Sequence, residues 1–290
     1  MDIITKFRAF QLNSHGSLFS FYKSNTYNLI EARIPKGGIG VLQADLEIHN
    51  KQTIDVLHIT SWDTDHCCYD DLVQILNHFR PATIEVPDYT PESEESKLSR
   101  SVIMKYDDIH QQYIHNVKVI SKEYIKSLSN AQSKDTSNVV FESSYNSDCK
   151  NDMSLIKLFR SLGFNVLSLG DCESADIANR LMDHSIIIEE VDVLILPHHG
   201  ADNGFITEVF LRKVNPKIAV CSSNYDNQYD HPRQEIRNLL YEKGICLYTT
   251  KTGDIVIYHE RGKTNSLAIN LIAESTKISS QKVFTPKRFS

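Results

Sequence analysis

The chain has 290 residues, with 31 Lys+Arg against 37 Asp+Glu and 12 histidines. A content of 41% hydrophobic and 23% charged residues excludes a disordered chain, and a net charge of −6 excludes a protein that coats nucleic acid by bulk positive charge. No apolar run reaches the roughly 18 residues of a membrane span, and the start, MDIITKFRAFQLNSHGSLFSFY, lacks a secretory signal, so the expected location is the cytoplasm, with no membrane partner.

The first third reads as strand and turn, with strands predicted at Phe7–Leu12, Leu18–Tyr22 and Tyr27–Arg33 and a loop at Ile34–Gly40. Ile54–Thr60 (IDVLHIT) fits a buried strand and leads into SWDTDH. Leu72, Ile75, Leu76 and Phe79 recur at helical spacing behind the acidic first turn of Asp70 and Asp71. Thr83–Val86 is a further strand. From 88 to about 150 the chain turns polar, with helices expected at Lys105–His115 and Ser121–Leu128 and a strand at Val117–Ile120; its apolar content is too thin for a core of its own. Regular alternation then resumes. Strands are predicted at Met153–Phe159, Asn165–Leu169, Val191–Leu196, Ile218–Ser222, Cys246–Thr249 and Ile255–Tyr258, with helices at about 174–184, 204–213 and 233–243 and Pro232 in the first turn of the last. Residues 275–290 read as a flexible basic tail. The six cysteines form no C-x-x-C pair, which argues against a zinc ribbon and for reduced thiols.

Four clusters each follow a predicted strand: Asp63-Thr64-Asp65-His66, Gly170-Asp171, Pro197-His198-His199-Gly200 and Asp230-His231-Pro232. Singly, each is a polar turn or a helix cap. Together, at strand ends where a sheet displays functional groups, they supply oxygen and nitrogen donors suited to zinc, manganese or iron.

SWDTDH, NDMSL (Asn151–Leu155), LGDCE, DVLILPHHGADN, SSNYDNQYDHP and TTKTGDIVIY resemble the metallo-β-lactamase superfamily, most of all the hydrolase domain of bacterial DNA-uptake (competence, ComEC-like) channel proteins. The resemblance covers about 50–70 and 150–258. It implies an α/β fold, a four-layer αβ/βα sandwich over residues 1–274 with a peripheral insertion at about 88–148. It further implies that Asp63 ligates a first metal and Asp65 with His66 a second, that Asp171 bridges, and that His199 completes a coordination sphere. His198, His231 and Asp65 then take the catalytic roles, and Asn151 with His231 the substrate. Sequence alone does not decide which of His198 and His199 is the ligand. Ser61 stands where the family's metal motif opens with His, and Ser14-His15-Gly16-Ser17 replaces its Gly-x-Gly-Asp turn. One or two ions, Zn²⁺ or Mn²⁺, are therefore expected.

The implied activity is a metal-dependent phosphodiesterase or nuclease acting on DNA, alone or as the effector of a larger complex such as an anti-phage system. The alternatives are a hydrolase of a small phosphate ester or cyclic nucleotide, and a catalytically weakened scaffold on the same fold. Lys97, Arg100, Lys105, Lys118, Lys122, Lys126, Lys282, Lys287 and Arg288, with Tyr106, Tyr113 and Tyr124, offer phosphate and base contacts. The acidic residues mixed among them favour ordinary solvated faces.

Overall fold

The structure is a computed structural model that describes residues 2–106, 116–128, 137–144, 148–273 and 275–290. Its first half holds β1 (Ile3–Ala9), β2 (Phe19–Lys23), β3 (Thr26–Ile30), β4 (Val56–His58), β5 (Thr83–Pro87), β6 (Asn116–Ile120) and β7 (Val139–Phe141). The second half holds β8 (Ile156–Phe159), β9 (Val166–Ser168), β10 (Val193–Ile195), β11 (Ile218–Cys221), β12 (Cys246–Thr249), β13 (Ile255–Glu260), β14 (Ser266–Leu271) and β15 (Ile278–Phe284). These make a nine-stranded sheet, β15-β14-β13-β1-β2-β3-β4-β5-β6, and a six-stranded sheet, β12-β11-β10-β9-β8-β7. The turn between β2 and β3 is Ser24-Asn25, both at positive φ, as a tight hairpin requires.

Aromatic and branched side chains on the facing sides of the sheets, among them Phe7, Phe21, Phe159, Val193 and Ile257, form the central core. Each such buried side chain contributes about 2–3 kcal/mol of hydrophobic stabilisation. On the outer face of the larger sheet Leu57, Ile84, Leu72, Ile75 and Phe79 pack under α1 (Ile39–Glu47), α2 (Tyr69–Phe79) and α3 (Glu94–Met104). On the outer face of the smaller sheet Leu167, Leu194, Ile177, Phe210 and Ile236 pack under α5 (Ala175–Leu181), α6 (Ser185–Glu190), α7 (Glu208–Val214) and α8 (Gln234–Glu242), while α4 (Lys122–Ser127) lies beside β6. The order is helices, sheet, sheet, helices.

The described residues between 88 and 148 supply one edge strand to each sheet: β6 pairs in parallel with β5, and β7 pairs antiparallel with β8. Here α3, which the sequence reading did not predict, ends before the predicted Lys105–His115 helix, which lies almost wholly outside the described residues. Ser93 caps α3 by accepting from Ser96 N at 3.1 Å, and Glu94 and Glu95 fill the acidic first turn. Residues 107–115, with Tyr113, lie outside the described residues. Tyr106 is fully buried, Lys97 pairs with Glu94 at 2.7 Å and Lys122 with Glu142 at 2.6 Å, so these groups serve the fold and its solvated faces.

The expected flexible tail is a correction. Residues 278–284 form β15, antiparallel to β14, and Phe284 enters the central core. Lys287 Nζ donates to Ile188 O at 2.6 Å and Arg288 Nη1 to Ser161 O at 2.8 Å, so these two cations are spent on carbonyls rather than phosphates. Pro232 also differs, standing before the Arg233 N-cap instead of in the first turn of α8. Among the described residues no helix is long and apolar enough to cross a membrane, and all six cysteines are free thiols.

Candidate metal centre

The C-terminal ends of parallel strands from both sheets meet at one edge. β3, β4 and β5 run parallel in the larger sheet, and β9, β10, β11 and β12 in the smaller. Loops leaving β4, β9 and β10 deliver Asp65 with His66, Asp171, and His199. One donor atom from each of these four lies within 4.8 Å of every other.

Backbone geometry fixes these loops. His198 and His199 both lie at positive φ (43° and 52°), a conformation that costs a non-glycine residue about 1 kcal/mol and holds the two rings on different sides of the chain. Gly200 follows at φ 80°, and a Cβ there would meet Pro232 Cβ at 2.7 Å. Gly170, at φ 53°, lets the chain pass Ser154, whose Cβ would lie 2.6 Å from an added Cβ. Ser154 Oγ in turn accepts from Asp171 N at 3.1 Å.

The protons can be assigned by elimination. His199 Nδ1 lies 2.9 Å from the Ser222 carbonyl, which can only accept, so Nδ1 donates and Nε2 of the neutral ring presents a lone pair. That Nε2 faces Asp65 Oδ2 at 3.1 Å. His66 repeats the pattern: Nδ1 lies 3.1 Å from Glu31 Oε1, while Nε2 lies 2.9 Å from Asp171 Oδ1. His66 Nε2 is also buried and makes no well-aligned hydrogen bond. A bare imidazole nitrogen opposite a carboxylate oxygen needs a cation between them. Without metal that cation is a proton. Burial opposes charge on His66, but Asp171, Glu31 and Asp65 outweigh it and hold its pKa well above the usual value; His199 is raised against burial by Asp65 and Asp171. Burial likewise opposes ionisation of Asp65 and Asp171, yet the same histidines keep both below the usual carboxylate range. Two carboxylates and two imidazoles, each imidazole held through its far nitrogen, fit a divalent ion.

Asp63, expected as a ligand, falls outside this group. It is exposed, and its Oδ2 accepts from Ser61 Oγ at 3.1 Å. Of the two adjacent histidines, His199 joins the group, while His198 turns its Nδ1 against Glu173. Asn151 Nδ2 donates to Glu173 Oε1 at 2.8 Å, so its amide backs Glu173. The neighbouring Asp152 Oδ1 accepts from Glu173 N and Ser174 N. His231 stands 5.9 Å from His198, ring centre to ring centre, and Tyr229 stacks on it at 5.6 Å. Burial, then the neighbouring His199 and His198, push His231 down to about 4. Over the cluster opens a cavity of about 250 Å³ lined by His15, Asp65, His198, His199, Tyr229 and His231 among others.

Sequence reasoning missed Glu31 and Glu173. Glu31 follows β3 directly, at φ 72°, and its carboxylate also accepts from Thr60 N and Oγ1, the former at 3.0 Å. A lone acidic residue after a strand carries no motif; only its adjacency to β4, where Ile30 pairs with His58, brings it to His66. Glu173 lies inside the quoted LGDCE, where no spacing marks it as a partner of His198.

No protein-family model matches the chain. Among curated proteins it is 27% identical over 120 residues to ComE operon protein 3 of Bacillus subtilis and 45% identical over 58 residues to competence protein ComA of Neisseria gonorrhoeae. These matches cover 41% and 20% of the chain but only 15% and 8% of those longer relatives. Among solved structures, Igni18, a metallo hydrolase of Ignicoccus hospitalis, superposes with a TM-score of 0.51 at 12% identity, over 87% of this chain and 98% of that one. The metallo-β-lactamase fold protein YhfI of Bacillus subtilis superposes with a TM-score of 0.50 at 11% identity, over 88% of this chain and 100% of that one. Two helix-flanked sheets with four candidate metal donors gathered at one edge, alike in fold to both structures, make this a metallo-β-lactamase-fold chain whose sequence is similar to part of the bacterial competence proteins.

Proposed function

We propose that the chain is a metal-dependent hydrolase, and specifically a phosphodiesterase that cleaves DNA. The observation that carries this reading is the four-donor group Asp65, His66, Asp171 and His199, of which Asp65 and His199 line a cavity together with His15, His198 and His231. Likeness to competence proteins supports nucleic acid as the substrate. A divalent ion, Zn²⁺ or Mn²⁺, held by those four residues supplies Lewis acidity toward water and a phosphoryl oxygen. Asp65 and Asp171 supply the negative charge that balances it. His231, neutral at pH 7 because its pKa lies near 4, orients a phosphoryl oxygen or water by hydrogen bonding without adding charge. His198, backed by Glu173 and through it by Asn151, is positioned to move a proton to or from the departing oxygen.

The small cavity, about 250 Å³, favours a second reading in which the substrate is a small phosphodiester such as a cyclic nucleotide. Protein loaded with Mn²⁺ or Zn²⁺ should be tested on single-stranded DNA, duplex DNA, RNA, cyclic nucleotides and bis-p-nitrophenyl phosphate. DNA cleavage that Asp171→Ala abolishes is the expected result. Intact DNA beside hydrolysed cyclic nucleotide selects the second reading, and no turnover of any of these overturns both.

A further inference from the structure

Next to the four-donor group, the residues that could complete a second metal position are already occupied with one another. Ser61 is fully buried, and its Oγ makes three contacts: Asp63 Oδ2 at 3.1 Å, Asp63 N at 3.2 Å and Tyr89 OH at 2.9 Å. Tyr89 OH also accepts from Trp62 N at 2.9 Å. The protons then run one way. Ser61 has one hydroxyl hydrogen, which it donates to Asp63 Oδ2, so Tyr89 donates to Ser61. A hydroxyl held this way on both sides has no free lone pair directed at an ion, and a neutral serine hydroxyl is a weak metal ligand. Two polar side chains on the β7–β8 and β9–α5 side are committed too. The Asn151 amide donates to Glu173 Oε1, and Asp152 Oδ1 receives two backbone N–H groups at the start of α5. Asp63 remains as a single carboxylate whose side-chain hydrogen-bond partner is Ser61.

Charge leads to the same conclusion. Asp65 and Asp171 together neutralise one dication. A second dication beside it would gain one further carboxylate from the same loop, Asp63, since Glu31 and Glu173 already pair with His66 and His198, in a site where His66 and Asp171 are buried and shielding by water is poor.

We propose that this chain is a single-ion protein: Asp65, His66, Asp171 and His199 hold one divalent metal, and the Tyr89–Ser61–Asp63 chain of hydrogen bonds fills the adjoining position in place of a second. The proposal rests on the reading of the four-donor group as a metal site and specifies how many ions that site works with.

The test is metal stoichiometry by elemental analysis on the full chain, loaded with Zn²⁺ or Mn²⁺ and freed of loose ion by gel filtration. One ion per chain is expected in the wild type, one in Asp63→Asn and none in Asp171→Ala. Ser61→His, which restores an imidazole beside Asp63, is expected to raise the count to two. X-ray absorption of the wild-type zinc form gives a check that needs no variant, since a paired site shows a metal–metal distance of about 3.5–4 Å and a single-ion site shows none. Two ions in the wild type, a metal–metal distance, or loss of the ion in Asp63→Asn overturns the proposal. Two ions with DNA cleavage would overturn it while leaving the hydrolase reading intact; one ion with no turnover would do the reverse.

Discussion

His66 is gripped from behind by Glu31: Nδ1 lies 3.1 Å from Oε1, both side chains are buried, and the opposite ring nitrogen faces Asp171. This carboxylate–imidazole–carboxylate line fixes both the ring orientation and the tautomer. Glu31→Gln keeps the shape but removes the charge that favours a donating Nδ1. Its expected effect is a loss of about 10–100-fold in metal affinity, read by competition with a chromogenic chelator. The melting temperature in EDTA should fall, because the buried His66 loses a charge partner, and the further gain on adding Zn²⁺, measured from each protein's own metal-free value, should shrink. Unchanged affinity would show that Glu31 does not position His66.

The distribution of signal in the sequence explains why this contact was hidden. Asp65, His66, Asp171 and His199 were legible because each sits in a short polar cluster behind an apolar strand, and the sheet order makes strand ends converge. Glu31 and Glu173 act through a neighbour brought near only by strand pairing and loop packing, so no local spacing marks them. Asp63 misled for the opposite reason: it lies in the motif, but with Ser61 and not an imidazole two residues before it, its carboxylate turns to the hydroxyl. The outer elements failed on local chemistry. Helix α1 starts behind Gly37 and Gly38, which read as loop, and the exposed residues of β15 gave no alternation to follow.

Tyr229 offers a stacking surface at the cavity mouth. Its ring lies 5.6 Å from His231 at 20° between planes, yet the residue is 56% exposed. An unstacked base can lie on such a surface, and removing an aromatic platform typically costs 1–3 kcal/mol per base, so Tyr229→Ala is expected to raise KM for single-stranded DNA about tenfold. Hydrolysis of bis-p-nitrophenyl phosphate, which has no base, should change by less than about twofold. An equal loss on both substrates would assign Tyr229 to the structure of the loop instead.

His49 supplies a stability change with pH far from the metal centre. Its ring stacks on Tyr22 at 3.7 Å, and burial, followed by the Lys6 charge and partly offset by Asp45, pushes its pKa down to about 4. The unfolded imidazole takes up a proton near pH 6.5, whereas the folded one stays neutral until about 4. Its contribution is therefore complete above pH 6.5 and is lost as pH falls from there toward 4. After discounting for solvent screening the loss is about 2 kcal/mol. His58, buried and also depressed, acts in the same window and is present in both proteins of the comparison. His49→Phe keeps the stack and cannot titrate. Urea denaturation between pH 7 and 4.5 should show a shallower fall in stability for His49→Phe than for the wild type, and parallel curves would exclude this source of acid sensitivity.

The last strand is held by side chains rather than by alternation. Phe284 is 6% exposed within the core between the sheets, and beyond it Lys287 N donates to Asp192 Oδ1 at 2.7 Å while Phe289 stacks on His259 at 5.3 Å. Each contact crosses to a residue distant in sequence, so the C-terminal segment is tied to the sandwich edge by long-range contacts. Phe284→Ala removes buried aromatic volume and is expected to cost about 3 kcal/mol in urea denaturation. Gln281→Ala, on an exposed position of the same strand, should change stability by less than about 0.5 kcal/mol. Truncation before Ser275 would strip the partner from β14 and leave a bare edge, for which concentration-dependent aggregation is the expected readout. If Phe284→Ala and Gln281→Ala were equally mild and the truncated protein stayed monomeric, the segment would not be part of the folded sheet.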